Sequence, residues 1–151
     1  MLSSGHLTDS VKTIYAKAAV TAGTTDQDTV VVDMQGYDAV RFIWLLGDVT
    51  DTSALEAQVF RNSASSTSSP TPVEITDDDV QFTAGATDAD DKALIVDIIK
   101  PGDRYVFSRL KRGTANAVVN GCVCELYRAR ELPQTQDATV IGSATLFEGG
   151  K

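Results

Sequence analysis

The sequence predicts an all-β fold: an antiparallel β-sandwich, jelly-roll-like, of about eight strands, with extended N- and C-terminal arms. Three observations carry this. Short runs rich in β-branched and aromatic residues recur along most of the chain. Turn signals built on Gly, Pro, Asp and Asn separate them. No 10–15-residue helical pattern falls between them, so a parallel β-α-β sheet is not expected.

The elements follow in order. The segment "VKTIYAKAAVTAG" (11–23) shows no strong helical stripe and repeats Thr and Tyr, so it reads as strand more readily than as a short helix. "TVVVDM" (29–34) and "AVRFIWLLG" (39–47) flank "QGYD", a turn containing Gly36. "ALEAQVF" (54–60) alternates, placing Leu55, Ala57 and Val59 on one face. "VQF" (80–82), "ALIVDII" (93–99) and "RYVFSRL" (104–110) come next, the last two joined by the Pro-Gly turn "KPGD" (100–103). The final run is "NAVVNGCVCELYRA" (116–129), where Gly121 predicts a bulge or bend. "NSASSTSSPTP" (62–72) is a polar, Ser-rich loop.

The expected organisation is a flexible N-terminal arm (1–10), one β-sandwich domain (11–131) and an extended C-terminal tail (132–151). One domain is the default for 151 residues, and that length buries a substantial core. The net charge of −8 opposes nonspecific binding to nucleic acid or to an anionic membrane. No apolar run approaches the roughly 18 residues of a membrane helix. The opening "MLSSGHLTDS" lacks a basic stretch followed by an apolar one, so no secretory leader is expected there. Two cysteines without a pairing pattern suit synthesis in a reducing cytosol.

An internal echo runs through the sequence. "TAGTTD" (21–26) precedes "VVVDMQGYDAVRF", and "TAGATD" (83–88) precedes "ALIVDIIKPGDRYVF". Asp33, Gly36 and Asp38 then correspond to Asp97, Gly102 and Asp103. Either loop chemistry is simply reused, or two related hairpins occupy corresponding places in a two-sheet sandwich.

Candidate chemistry is sparse. Cys122 and Cys124 are one residue apart, and His6 is the only histidine, so the four soft ligands of a structural zinc site are missing. On a strand, residues i and i+2 share a face with α-carbons roughly 6.5–7 Å apart, the outer limit for a disulfide. Packing on the inner face is the expectation, with a reactive or intermolecularly paired thiol as the alternative. His6 sits in a loose arm, which suits no catalytic triad. No P-loop or dinucleotide fingerprint appears. Acid groups at Asp77, Asp78 and Asp79 and at Asp88, Asp90 and Asp91 suggest calcium, but they do not fit the EF-hand spacing and read better as solvated loops. Trp44, in "FIWLL", reads as a core or interface residue rather than a sugar platform. No enzymatic activity, cofactor or metal is expected.

Charge is segregated along the chain. Residues 1–99 carry 16 acids and 5 bases, whereas residues 100–130 carry 7 bases and 2 acids. The bases form either a solvated face or a surface that meets an acidic neighbour. Arg109, Lys111 and Arg112 are the basic interaction candidates. Val140, Ile141, Leu146 and Phe147, together with Leu2 and Leu7 in the N-terminal arm, are apolar residues that a purely solvating tail does not need. Burial of four such anchors does not offset the ordering of a twenty-residue tail, so backbone pairing with a neighbour's sheet edge is expected, with the tail running away from its own sandwich.

The stretches "VVDMQGYDAVRFIWLLGDVTD" and "FTAGATDADDKALIVDIIKPGDRYVFSRLKRGTANAVVNG" resemble the capsid decoration (cement) proteins and related head proteins of tailed bacteriophages. The resemblance spans about residues 18–142 and rests on "GYD-V-F", "FTAG-TDAD-K" and "R-TANAVV-G". It implies a β-sandwich protomer, often trimeric, bound outside the capsid where major-capsid subunits meet. It carries over no catalytic residues, and the cysteines and the run of bases lie outside it. The expected role is a structural virion protein that stabilises major-capsid contacts, made in the bacterial cytoplasm and located on the capsid surface. The major capsid protein and a homo-oligomer, most simply a trimer, are the expected partners, with no nucleic acid and no membrane. Alternatives are a head-tail connector or tail protein, and a sugar- or calcium-binding β-sandwich module.

Overall fold

The computed structural model describes residues 5–73 and 80–146. One helical turn, α1 (Leu7–Ser10), precedes eleven strands. They are β1 (Lys12–Lys17), β2 (Val20–Gly23), β3 (Gln27–Asp28), β4 (Val32–Asp33), β5 (Tyr37–Val49), β6 (Ala54–Asn62), β7 (Thr71–Pro72), β8 (Gln81–Thr83), β9 (Ala93–Ile99), β10 (Tyr105–Gly113) and β11 (Ala117–Ala129).

The strands form two antiparallel sheets packed face to face. The first has the order β1-β11-β5-β9, with β2 beside β1 on the edge of β11. The second has the order β3-β10-β6-β7, with β4 also on β10 and β8 also on β6. Three strand places are each divided in two: β1 with β2, β3 with β4, and β7 with β8. The eleven strands therefore fill eight places. Followed along the chain, those places alternate between sheets except at β6 to β7/β8, which is the jelly-roll topology. The expected β-sandwich is present, in eleven strands rather than about eight.

Two of the divisions have a local cause. Gly121 adopts φ +138°, and the register of β11 shifts there. A Cβ at Gly121 would lie 2.9 Å from the Lys17 carbonyl, so only glycine lets β1 approach this bulge. The expected strand 29–34 shortens to β4 because Val30 N–H donates to the Ala16 carbonyl, stitching the segment to the opposite sheet. At the outer edge of β6, Pro72 lacks a donor and is tolerated because β7 is an edge strand.

Alternation fixes the core. Phe42, Trp44 and Leu46 of β5 and Cys122, Cys124 and Leu126 of β11 face inward from the first sheet. Leu55, Ala57 and Val59 of β6 and Val106 and Leu110 of β10 face them from the second. Trp44 is fully buried, and its indole Nε1 donates across the sandwich to Ser108 Oγ at 2.9 Å. That hydroxyl donates in turn to the Gln58 carbonyl at 2.7 Å, so Ser108 satisfies the indole and links it to β6. Cys122 and Cys124 are buried free thiols on the inner face, as their i, i+2 spacing led us to expect.

The echoed segments are corresponding but are not hairpins. "QGYD" carries the chain from β4 in the second sheet to β5 in the first, and "KPGD" carries it from β9 in the first to β10 in the second. Each glycine turn is a crossover between sheets. Both glycines use left-handed backbone, with Gly36 at φ +90° and Gly102 at φ +108°.

Candidate interaction surfaces

Of the seven bases, Arg109, Lys111 and Arg112 lie on β10 and Arg104 just before it, and four of the seven pair with acids of the same chain. β10 is flanked by β3 and β4 on one side and β6 on the other, and these strands carry acids. Arg104 pairs with Asp33 at 2.9 Å and also donates to Gln35. Arg109 makes a two-pronged contact with Asp28, at 2.6 and 2.9 Å. Its guanidinium lies 4.9 Å from the ring centre of Phe60, which stacks on Phe107. Lys111 sits 3.8 Å from Glu56, and Arg130 sits 3.4 Å from Asp38. The acid-rich and base-rich halves of the sequence thus meet inside one protomer.

Arg112 departs most from the expectation of a surface cation. It is 2% exposed. Its Nε donates to the Thr25 carbonyl at 2.9 Å, and its Nη1 donates to the carbonyls of Thr21 (2.9 Å) and Ala117 (2.6 Å). Burial pushes its pKa below the ordinary guanidinium value, opposed by the charge of Asp26. Alternation explains the placement: Arg112 follows Val106, Ser108 and Leu110 on the inward face of β10. It is a clamp on the loop 21–25, and it is not available to a neighbour.

The tail divides into two parts. Residues 134–139 run beside β1, in the same direction, and satisfy its edge. Gln136 Oε1 accepts the Thr13 amide at 2.7 Å, and Thr139 Oγ1 accepts the Tyr15 amide at 2.9 Å. Gln136 Nε2 donates to the carbonyls of Thr8 and Val11, and Gln134 N–H donates to that of Asp9. Gln134 Oε1 also accepts the Tyr37 hydroxyl. This part of the tail belongs to its own sandwich, against the expectation that the whole tail runs away from it. Side chains replace a backbone ladder here, and they hold α1 of the N-terminal arm in the same network. Residues 141–146 make no such contacts: Ile141 is 104% exposed and Leu146 is 74% exposed. Val140 is half-buried, its amide bonded to the Asp137 carbonyl. Leu2, Phe147 and the acids Asp77, Asp78 and Asp79 lie outside the described residues.

A second surface went unread in the sequence. The outer face of the first sheet carries one cross-strand row of Tyr15, Val123, Ile43 and Ile95, in register over four strands. Leu45 lies one rung to one side of this row, and Ile99 lies beyond Asp97 on the other. Ile95 is 49% exposed and Ile99 is 52% exposed. Between them, Asp97 and Glu125 flank Arg41, and the Tyr127 hydroxyl donates to Asp97. The signal was present in "ALIVDII": an antiparallel strand that is apolar on both faces expects cover on both.

The remaining chemistry is structural. Of the three acids in the loop before β9, Asp88 accepts the Gly85 amide at 2.7 Å and Asp90 accepts the Val49 amide at 2.8 Å. No cluster of three or more His, Cys, Asp or Glu among the described residues is placed to hold a metal. The two echoed turns line an open cleft of about 510 Å³ with Met34, Tyr37 and Arg130. Four of its five lining charges are engaged within the chain: Asp38 with Arg130, Asp103 with Arg61, and Arg104 with Asp33. Desolvation raises the Cys122 thiol to about 12 and Cys124 well above its usual value, so neither is a nucleophile near neutrality. The chain matches no protein-family model, and no curated protein matches it.

Proposed function

We propose that this chain is a structural protein of a tailed-bacteriophage particle, bound to the outside of the capsid and reinforcing contacts between major-capsid subunits, and that it self-associates, most simply as a trimer. One observation carries the reading: an apolar row on the outer face of the first sheet and residues 141–146 of the tail are exposed, on a sandwich whose basic run is in good part paired with its own acids. Contiguous exposed apolar surface of this kind marks interaction sites. A jelly roll is at home in capsid assemblies, though the fold alone does not assign a role. The resemblance of "GYD-V-F" and "R-TANAVV-G" to decoration proteins supplies the particle context.

The test is direct. Antibody raised against the chain, applied to purified particles of the encoding virus, should label the head surface evenly. Label confined to the head-tail junction or tail would transfer the chain to the connector or tail class, and unlabelled particles would end the virion reading.

A further inference from the structure

We infer that residues 141–146 of one copy add as a strand to the outer edge of β9 in a second copy, joining chains head to tail. The inference rests on the self-association part of the reading above and needs no capsid.

The acceptor is defined by hydrogen-bond parity. Lys100 N–H donates to the Asp38 carbonyl, and Leu46 N–H donates to the Lys92 carbonyl. In an antiparallel ladder, hydrogen-bonded pairs recur every second residue, so the even-numbered residues of β9 bond to β5. The backbone groups of Ala93, Ile95, Asp97 and Ile99 then point away from β5, at the end of the sheet. Among the described residues no backbone hydrogen bond reaches them from outside. The inward side chains Leu94 and Ile98 are only half-buried, as expected of a strand lacking its outer neighbour.

The donor is equally defined. Residues 138–146, "ATVIGSATL", carry no charge. Ser143 and Thr145 alternate with Ala144 and Leu146, the period of a strand with one apolar face. Thr139 is fixed on the β1 edge, so the point of departure is set.

Reach decides between one chain and two. The tail leaves at the β1 edge, and the acceptor is the β9 edge of the same sheet. Passing from the lane outside β1 to the lane outside β9 crosses five strand spacings of about 4.8 Å, about 24 Å in all. Fully extended, residues 140–146 span no more than about 24 Å. Crossing would consume the whole segment and leave none of it to pair. A second copy, offering its β9 edge at the first copy's β1 side, receives the segment without this cost. Donor and acceptor then lie on opposite edges, which is a heterologous contact that either closes into a ring or propagates.

Complementation between two defective chains tests this. One chain ends at Val140 and keeps Gln134, Gln136 and Thr139. The other is Ile95→Pro, which removes one outward-facing edge amide, with Ala93→Pro as a second form should the first misfold. Burial of Trp44, read by its emission, verifies folding of each. Sedimentation at roughly 0.1 mM, a concentration that populates even weak complexes, should show the full chain associated and each variant monomeric. An equimolar mixture should form one-to-one complexes that grow no further, because one chain retains the edge and the other the tail. A monomeric full chain, association of the truncated chain, association of the folded proline variants, or a mixture that stays monomeric would each overturn the inference. Particle labelling by the truncated monomer reports separately on the capsid role.

Discussion

Replacing Arg112 with methionine isolates the buried clamp from every surface role. Methionine keeps the aliphatic stem and donates nothing, so three carbonyls lose their partner: Ala117, Thr21 and Thr25. The bond to Ala117 is buried, and leaving that acceptor unmade costs about 1–3 kcal/mol. The other two are half-buried and regain water, for about 1 kcal/mol each. Relief of a cation held out of water returns about 1–2 kcal/mol. The net loss is about 2–3 kcal/mol, or roughly 5–10 °C in midpoint for a chain of this size. Urea unfolding of the full chain, followed by Trp44 emission at dilutions where the midpoint no longer depends on concentration, measures it. The slope with denaturant should be unchanged. Lys111→Met is the control. Its ion pair with Glu56 is long and half-exposed, so it should cost less than about 0.5 kcal/mol. If Arg112→Met is as mild as Lys111→Met, the clamp stabilises nothing and the reasoning from its three bonds is wrong.

Ser108→Ala should cost about 1–2 kcal/mol by stranding the buried Trp44 N–H, while Ser66→Ala in the Ser-rich loop should be silent in the same unfolding measurement. Gln136→Ala should leave the fold intact and raise hydrogen exchange at the Thr13 amide, while Thr139→Ala should do so at the Tyr15 amide; protection unchanged in both would mean the tail does not cap β1. A thiol reagent at pH 8 should label Cys122 and Cys124 only after unfolding. Because burial raises the folded Cys122 value from 9.0 to about 12, its contribution is complete below the unfolded value and is lost as pH climbs from about 9 towards 12; a midpoint flat across that window would contradict this. Metal analysis should find no stoichiometric zinc, and one zinc per chain would reopen the cysteine pair.

How much of this was legible depended on whether a residue's environment was set by its own strand. "ALEAQVF" declared its inward face because polar and apolar positions alternate, and Leu55, Ala57 and Val59 are buried as read. Gly121 announced its bulge because no other residue type tolerates that backbone. Arg112 was misread because a cation in a basic run looks solvated. Only the count of alternate positions from Val106 shows that it points inward, and only the fold supplies the carbonyls of Thr21, Thr25 and Ala117. The charge asymmetry was real in sequence but misleading in space, since β10 lies between the acid-bearing strands. The split between a docked and a projecting tail was not readable either. Gln136 and Thr139 are ordinary polar residues until β1 lies beside them.

The fastening of the tail along β1 has a mechanical consequence. Gln134, Gln136 and Thr139 engage in sequence along the strand, so a pull on residue 140 loads Thr139 first, then Gln136, then Gln134. Under a pull away from β1 the attachments yield one after another, and the force at any moment is that of one to three hydrogen bonds rather than of a sheared ladder. Each residue freed adds about 3.4 Å of slack. A chain tethered to a neighbour through its tail end therefore stretches by unpeeling, and it absorbs displacement between the two bodies before any strand of either sandwich bears tension.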